Sequence, residues 1–430
     1  MLNQRAAPVR VILSSGVGRI HTIESAVSLL DAGVDARVVT GWVPSPAMAP
    51  LARFAGSILG RPDLDRRLQA RLAGGRLPRS RIHTCGFAEG LSQAGNRLGE
   101  KGLLPYDATN RFTWQVFGFA SQRHLRNADV FHVRSGAGQG GAIATARRRG
   151  MKIVVDHSIA HPIEMERTLK SLHDKLGIPF RMGPDSRFWQ LVLQDCADAD
   201  VVVVNSDYVR DSFVHAGFSG SKVTTVYWGV RDDFIGLKRD YSMAPPAKLL
   251  FTGAFGLRKG AAEIAEACRL LDHRGVDYQL LIAGNASEGA PLIRAAGLRG
   301  KVRFLGMLLQ DELKEHLATS DLYVFPTHAE GCARSAMEAM AAGLPVITTQ
   351  ECGLPARHGQ DGWLVPRGDP PALAEAISSL LEDPGRRKAI GEAARQRVTE
   401  EFRWCHYASR LKTLYASLLG GRNDSIAHHA

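Results

Sequence analysis

The stretch that decides the fold is Glu330-Gly331-Cys332-Ala333-Arg334-Ser335-Ala336-Met337-Glu338, which continues as Ala-Met-Ala-Ala-Gly343-Leu-Pro345-Val-Ile. Two carboxylates flank a short turn of small residues, and the second carboxylate begins a predicted alanine-rich helix. Gly343 is predicted to end this helix because glycine tolerates a positive φ, and Pro345 leads into a strand. The start of such a helix offers free backbone N–H groups and a positive dipole end, which together favour a diphosphate.

The two carboxylates extend this prediction from a diphosphate to a nucleotide sugar. Glu338 is expected to accept hydrogen bonds from ribose hydroxyls, and Glu330 from a hexose. Ser335-x-x-Glu338 also fits a capping box, in which the two side chains only satisfy amides at the helix end. The residues of this stretch alone leave both interpretations open.

Length and composition indicate an enzyme-sized globular protein. A chain of 430 residues is too long for one core and predicts two domains. Its longest apolar runs have strand length, and no apolar signal segment opens the chain, so we expect a cytoplasmic protein. Peripheral binding to the inner membrane face is the alternative. Six cysteines without CxxC spacing favour reduced thiols over disulfides or zinc.

The net charge of +11 is the one unusual bulk property, and it suits phosphate-bearing substrates, an anionic membrane or nucleic acid. Residues 53–81 are rich in arginine, and Leu64, Leu68 and Leu72 recur at helical spacing. This segment predicts a basic amphipathic helix that is either solvated or bound peripherally to anionic lipids. Nucleic acid is not expected as a partner, because no stacking aromatic residues lie among the arginines.

The N-terminal half opens with a Rossmann-like βαβ unit. A strand at 9–14 runs into a glycine-rich turn, a helix at 23–32 follows, and a second strand occupies 36–40. Gly16 and Gly18 would allow the backbone to approach a ligand closely. A lone Gly-x-Gly also suits an NAD enzyme, but His21 stands in the third glycine position.

Alternating strand and helix patterns fill the rest of the chain and predict an α/β protein with two parallel sheets. A linker is expected at 227–246. Further strands are predicted at 130–133, 152–155, 201–204, 248–252, 278–284, 302–305, 322–325, 346–348 and 362–365. Helices are predicted at 142–149, across most of 163–199, at 261–274 and at 402–419.

The Glu330–Glu338 unit and its tail resemble the E-x7-E motif of the family 4 retaining glycosyltransferases, which have the GT-B fold. The resemblance covers most of residues 200–410 and the N-terminal half more loosely. It implies two Rossmann-like domains facing a central cleft: an acceptor domain at 1–230 and a nucleotide-sugar donor domain at 247–400. A C-terminal helix at 401–420 would cross back to the first domain.

The resemblance also implies roles for individual residues. Glu330 would contact the transferred sugar and Glu338 the donor ribose, while the turn between them holds the diphosphate through Cys332, Ala333, Arg334 and Ser335. In the loop that begins at Gly253, Lys259 would neutralise the departing diphosphate and Arg258 would add a bidentate contact. An exposed lysine near a helix start is the plainer interpretation of Lys259.

One residue of this loop departs from the family pattern. Ala254 stands where the family normally has an arginine that contacts the donor phosphates. Arg258 substitutes for it, or turnover is weaker, or the donor binds with a different geometry; the sequence leaves these three open.

In the N-terminal half, His157 resembles the family histidine beside the transferred sugar, although a histidine bonded only to its own loop is equally compatible with the sequence. His132 is a weaker match and suits a structural role. Asp198-Ala-Asp200 resembles the DxD metal motif of another glycosyltransferase fold. Because these aspartates precede the strand at 201–204, at the end opposite the expected cleft, we expect no metal there.

The resemblance therefore implies a metal-independent hexosyltransferase of class EC 2.4 that retains the anomeric configuration. Its co-substrate would be a nucleoside-diphosphate sugar, with no other cofactor, and its acceptor a glycan or a lipid-linked precursor in cell-surface polysaccharide or glycolipid synthesis. Two alternatives stay open: a noncatalytic nucleotide-sugar binding protein, and a GT-B epimerase or hydrolase.

Overall fold

The computed structural model describes residues 7–17, 21–44, 76–175, 183–298 and 300–420, and single residues at 50, 54, 57, 177 and 180. The chain divides into two compact units. Unit 1 comprises Met1–His157, Pro184–Val203 and Tyr407–Ala430, and unit 2 comprises Ser158–Gly183 and Val204–His406. The domain bounds expected from the sequence stay predictions.

The first sheet has seven strands in the order β3-β2-β1-β4-β5-β6-β7. The described pairs β1–β2, β1–β4, β2–β3 and β4–β5 are all parallel. The strands are β1 Arg10–Ser14, β2 Asp35–Thr40, β3 Ile82–Thr84, β4 Val130–Arg134, β5 Lys152–His157, β6 Val201–Val204 and β7 Val223–Thr225. The helices among them are α1 Thr22–Asp31, α2 Gly86–Glu100, α3 Tyr106–Ser121, α4 Ala142–Arg148, α5 Pro162–Lys175, α6 Arg187–Asp198 and α7 Asp207–His215.

The second sheet has six strands in the order β10-β9-β8-β11-β12-β13, and its neighbouring strands are all parallel. Its strands are β8 Ala247–Thr252, β9 Tyr278–Ala283, β10 Val302–Gly306, β11 Leu322–Phe325, β12 Val346–Thr348 and β13 Trp363–Leu364. Its helices are α8 Ala261–His273, α9 Ala290–Ala295, α10 Gln310–Thr319, α11 Arg334–Ala342, α12 Pro370–Glu382 and α13 Pro384–Glu401, and helix α14 Trp404–Gly420 ends the described chain.

Parallel strands covered by helices explain why the central strands are apolar throughout. All four valines of β6 are buried, as are all four residues of β11. In a parallel sheet both faces are covered, so no alternation of polar and apolar residues is required. The predicted α/β class with two Rossmann-like parallel sheets is confirmed.

Helix α14 contributes two buried tyrosines to unit 1. The Ser25 hydroxyl donates to the Tyr407 hydroxyl at 3.3 Å, and the Tyr415 hydroxyl lies 2.6 Å from Nδ1 of His132. Burial lowers the pKa of His132 to about 4, so its imidazole is neutral near pH 7. His132 therefore has a structural partner in the last helix.

One predicted helix needs correction at its start. The helix expected to begin at Glu338 begins at Arg334, so Glu338 lies in its middle. Its predicted end is correct, because Gly343 caps it with φ of +86°. The prediction that most of 163–199 is helical is confirmed, since α5 and α6 lie there.

Two helical glycines of unit 1 give a matched test of the packing. A methyl group at Gly118 in α3 would lie 1.6 Å from the Gln139 carbonyl oxygen, whereas one at Gly90 in α2 would meet no atom within 4 Å. We expect Gly118→Ala to lower the free energy of unfolding by about 1–3 kcal/mol, because α3 and the loop must separate. Gly90→Ala should raise it by about 0.5–1 kcal/mol through helix propensity.

Chemical denaturation followed by circular dichroism measures both changes. Equal effects of the two substitutions would contradict the close approach of α3 to the Gln139 loop.

Candidate functional site

Three charged side chains of unit 2 meet in front of helix α11. Nη1 of Arg258 lies 2.7 Å from Oε1 of Glu330, and Nζ of Lys259 lies 3.3 Å from the same oxygen. The Glu330 side chain is 15% exposed and that of Lys259 18% exposed, so the three charges are partly shielded from water. Their formal charges sum to one positive charge, which suits the binding of an anion.

The loop after β8 presents the two cations. It turns at Gly253, whose φ is +128°, and a 3₁₀ turn at Leu257–Lys259 follows. The Glu288 carboxylate fixes this turn by accepting the N–H of Leu257 at 2.9 Å. Gly260 then has φ of +82°, and a methyl group there would lie 2.2 Å from the Pro326 carbonyl oxygen. Only glycine fits this position without displacing the neighbouring strand end.

The loop after β11 presents Glu330 to these cations. The N–H of Glu330 donates to the Glu351 carbonyl at 2.9 Å. The next residue, Gly331, approaches the backbone so closely that a methyl group would lie 1.9 Å from the Ser158 carbonyl oxygen. The position of Glu330 is therefore set by two backbone contacts, one made by its own N–H and one made by Gly331.

The start of α11 is bonded to residues of the second sheet and has no capping box. Ala333 is the N-cap residue and makes no side-chain cap. The Ser335 hydroxyl donates to the Thr252 carbonyl at 3.3 Å and accepts from the Tyr323 hydroxyl at 2.9 Å. The capping-box interpretation of Ser335 and Glu338 is therefore wrong. The first N–H groups of α11 have no carbonyl partner within the helix, as in any helix start.

Glu338 lies one turn into α11 and is 8% exposed. Burial raises the pKa of its carboxyl, and the Arg334 guanidinium, 3.0 Å away, partly opposes that shift. The Arg334 side chain itself is 55% exposed, so this ion pair lies at the protein surface.

Cys332, in the turn between the two glutamates, is buried, and burial raises the pKa of its thiol well above the ordinary value. The thiol is therefore neutral, and only the backbone of Cys332 is suited to contact an anion.

Unit 2 thus brings together most of the predicted site residues: Gly253, Arg258, Lys259, Glu330, Glu338 and the turn Cys332–Ser335. Three polar neighbours were not predicted: Tyr323, Thr252 and Glu288. They are distant in sequence from the residues they hold, and no local pattern indicates them.

The predicted residues of unit 1 lie at the carboxyl ends of β1 and β5, two strands of the first sheet that are separated by β4. Gly16 follows β1 with φ of +69°, and a methyl group there would lie 2.7 Å from the Trp114 ring. Gly18 lies outside the described residues. His157 ends β5, is 1% exposed, and its Nδ1 lies 2.9 Å from the Ser135 hydroxyl. Sequence reasoning missed that Asp156 pairs with His21 at 2.7 Å.

The Asp198-Ala-Asp200 pair has structural partners. Oδ2 of Asp200 accepts the N–H of Ile153 at 2.6 Å, and Asp198 accepts from Gln139 and Gln194 at 3.1 and 3.0 Å. Among the described residues, no three His, Cys, Asp or Glu side chains are grouped as metal ligands.

Most of the basic segment at 53–81 lies outside the described residues. The three arginines that can be described are bonded within unit 1: Arg76 to Glu24, Arg79 to the Val43 carbonyl and Arg81 to Asp35. In the part of the chain that the structure covers, no helix is both long and apolar enough to cross a bilayer.

Curated relatives of the chain are glycosyltransferases and related synthases. It is 29% identical over 204 residues to the amylovoran biosynthesis glycosyltransferase AmsK of Erwinia amylovora, which covers 45% of this chain and 50% of that protein. It is 28% identical over 250 residues to the N-acetyl-alpha-D-glucosaminyl L-malate synthase of Bacillus anthracis, covering 55% and 65%. The chain thus spans about half to two thirds of the length of these relatives.

A structural comparison and two family models point to the same class of proteins as these relatives. The sucrose-phosphate synthase of Thermosynechococcus elongatus superposes with a TM-score of 0.68 at 18% identity, over 96% of this chain and all of that chain, which shows a shared GT-B fold. The family described as Glycosyl transferases group 1 matches residues 241–397. Glycosyltransferase Family 4 matches residues 16–234, half of the chain. This protein belongs to glycosyltransferase family 4.

Proposed function

We propose that the protein is a retaining glycosyltransferase that moves a sugar from a nucleoside-diphosphate sugar to an acceptor hydroxyl. The observation that carries this proposal is the pairing of Arg258 and Lys259 with Glu330 in front of helix α11. Polysaccharide or glycolipid synthesis at the cell surface is the proposed pathway class. A curated relative named for amylovoran biosynthesis supports the polysaccharide part.

The two cations account for leaving-group stabilisation. Cleavage of the sugar–phosphate bond develops negative charge on the departing diphosphate, and preorganised donors stabilise this charge most effectively in a shielded site. Lys259 and the N–H groups at the start of α11 supply such donors without reorganisation. Glu330 pairs with both cations and compensates one of their two positive charges, and an incoming diphosphate would compete with it for them.

Glu330 is the residue proposed to contact the transferred sugar. Its carboxylate accepts hydrogen bonds and carries charge of the sign that stabilises a cation-like anomeric carbon. Once the diphosphate takes over Arg258 and Lys259, lone pairs of Glu330 become available to sugar hydroxyls. Glu338, one turn further along α11, is proposed to accept from the ribose.

Arg258 is proposed to replace the family arginine that is absent at Ala254. Its Nη1 donates both to Glu330 and to the Ala329 carbonyl at 2.6 Å, so the guanidinium is already oriented within the site. Ala254 itself is exposed. A bidentate guanidinium at position 258 is suited to the same phosphate contact.

The transfer is proposed to need no metal ion. The leaving diphosphate has Lys259, Arg258 and the amides of α11 as partners, so its charge can be stabilised by the protein alone. Asp198 and Asp200, the pair that resembles a metal motif, are bonded to Gln139, Gln194 and the Ile153 amide instead.

Unit 1 is proposed to bind the acceptor. Gly16 and His157 follow β1 and β5 at their carboxyl ends, where ligands of parallel α/β sheets bind. A glycan or lipid-linked acceptor is proposed. We also propose peripheral binding to an anionic membrane through the basic segment at 53–81. The arginines proposed to bind are those that lie outside the described residues.

The absence of an arginine at position 254 favours one alternative, a noncatalytic nucleotide-sugar binding protein; a GT-B epimerase or hydrolase is the other. Release of nucleoside diphosphate, measured with and without a panel of acceptors, separates the three. A transferase requires acceptor for fast release, an epimerase or hydrolase turns over the donor without it, and a binding protein releases nothing.

Substitution of Lys259 tests the catalytic role of the cations. We expect Lys259→Ala to lower kcat by about 10²–10³ at saturating donor, as for the loss of one preorganised donor. Lys301→Ala is the matched control, because Lys301 pairs with Asp272 on the surface of the same unit.

Both variants and the wild type are assayed in excess chelator as well as without it. A wild-type rate lost in chelator would contradict metal independence, and an unchanged rate for Lys259→Ala would remove this lysine from the site.

The buried carboxyl of Glu338 predicts a pH dependence of donor binding. Burial raises its pKa, and the ionised form is the stronger acceptor of ribose hydrogen bonds, so KM for the donor should rise as pH falls through that pKa. Arg334→Gln removes the opposing cation and raises the pKa further. The acid limb of the KM profile should therefore move to higher pH.

Arg269→Gln is the control for this shift, since Arg269 forms a similar exposed intrahelical pair with Glu266 on α8. If the acid limb lies at the same pH in Arg334→Gln and Arg269→Gln, Glu338 does not contact the donor as a carboxylate.

A further inference from the structure

The helices α2 and α3 of unit 1 form a hairpin that exposes an unusual amount of apolar surface. Half of the exposed large apolar side chains described in the chain belong to this hairpin and its connecting loop. The most exposed are Phe87 at 82%, Phe119 at 71%, Leu103 at 66% and Phe112 at 57%; the others are Tyr106, Leu104 and Leu98. A contiguous apolar face on a soluble domain marks an interaction surface.

Apolar residues of each helix form a row that contains the most exposed apolar side chains of that helix. In α2 the row is Phe87, Ala94 and Leu98 together with the half-buried Leu91, at spacings of four, three and four. In α3 it contains Ala108, Phe112 and Phe119, at spacings of four and seven. These spacings place every member of a row on one side of its helix.

The hairpin does not need these rows for its own packing. The seam between the helices runs through Gly95 and Gly99 of α2, where added methyl groups would lie 2.5 Å from a Thr109 methyl and 3.3 Å from the Tyr106 ring. Buried Trp114 and Phe117 of α3 pack toward the interior of the unit. The rows therefore form a second apolar face that the described residues leave exposed.

The two rows lie on the same face of the hairpin. The contacts of Gly95 with Thr109 and of Gly99 with Tyr106 run in opposite directions along the chain, so the helices are antiparallel. At 100° per residue, the row and the seam of each helix are about a quarter turn apart around the helix axis. In both helices the rotation from row to seam follows the direction of increasing residue number. In an antiparallel pair, equal rotations of this kind bring both rows to one side.

The rim of this face is basic. Arg97, Lys101 and Arg111 are exposed beside the rows. Among the side chains described in the hairpin, the two carboxylates are engaged elsewhere: Glu89 is buried and accepts the N–H of Trp42, and Asp107 accepts the N–H of Arg187. The face thus combines aromatic and aliphatic residues with positive charge and no exposed described carboxylate.

We propose that the hairpin face, defined by Phe87, Leu98, Phe112 and Phe119, docks on an anionic membrane. Apolar rows that enter the headgroup boundary beneath a basic rim are the pattern of helices lying in the membrane interface. A second copy of this chain is a poor occupant, because it would place two basic rims against each other. This inference goes beyond the proposed transfer reaction and does not depend on the donor.

Sedimentation of the full chain with vesicles tests the proposal. The vesicles contain phosphatidylcholine alone or mixed with phosphatidylglycerol. We expect the triple variant Phe87→Ser, Phe112→Ser and Phe119→Ser to partition about 100-fold more weakly onto the mixed vesicles, as for the loss of three partly inserted rings. The control, Ile163→Ser with Val214→Ser, removes exposed apolar side chains of unit 2 and should bind as the wild type does.

Two results would overturn the proposal. One is a triple variant that melts at the same temperature as the wild type and binds the mixed vesicles equally strongly. The other is a triple variant whose molar mass in solution falls from dimer to monomer, which would make the face a contact between copies.

A second measurement covers the case in which the triple variant fails to fold. Tryptophan emission of Phe112→Trp should shift to shorter wavelength on mixed vesicles, and the absence of a shift counts against docking. Charge reversal of Arg66, Arg67 and Arg71 tests the 53–81 segment separately. If only that reversal abolishes binding, the hairpin proposal is wrong while the proposed transfer reaction is unaffected.

Discussion

The carboxylate of Glu330, held between Arg258 and Lys259, is the interaction on which the proposed chemistry of unit 2 depends. It holds two cations together in a partly shielded position and compensates one of their two charges, which lowers the cost of placing them side by side. Glu330 itself belongs to the loop that leads into α11. In the proposed reaction, a diphosphate at this site would meet donors that are already in place, so little reorganisation would be needed at the moment of transfer.

Two glycines make this arrangement possible. Gly260 lies against the Pro326 carbonyl and Gly331 against the Ser158 carbonyl, at distances that exclude any side chain. Gly260 lets the loop after β8 lie against the end of β11, and Gly331 lets the loop that carries Glu330 lie against the residue that follows β5. The site is therefore specified as much by backbone close approach as by its charged residues.

The sequence predicts the parallel strands well, because a buried parallel strand is a short apolar run bounded by turn residues. The predicted bounds of β6, β11 and β12 agree with the structure. The start of α11 was misplaced because the partners of Ser335 are Thr252 and Tyr323, which no local pattern links to it. The α2–α3 hairpin is not among the predicted elements.

Removal of the Glu330 charge tests the central claim most directly. If Glu330 competes with the diphosphate for Arg258 and Lys259, Glu330→Gln should bind a nucleoside diphosphate more tightly than the wild type does, while sugar transfer is lost. Titration calorimetry with UDP, GDP and ADP measures the first effect on a folded protein. Weaker or unchanged binding of every nucleoside diphosphate by Glu330→Gln would contradict the account, because the cations would then not be held for the phosphates.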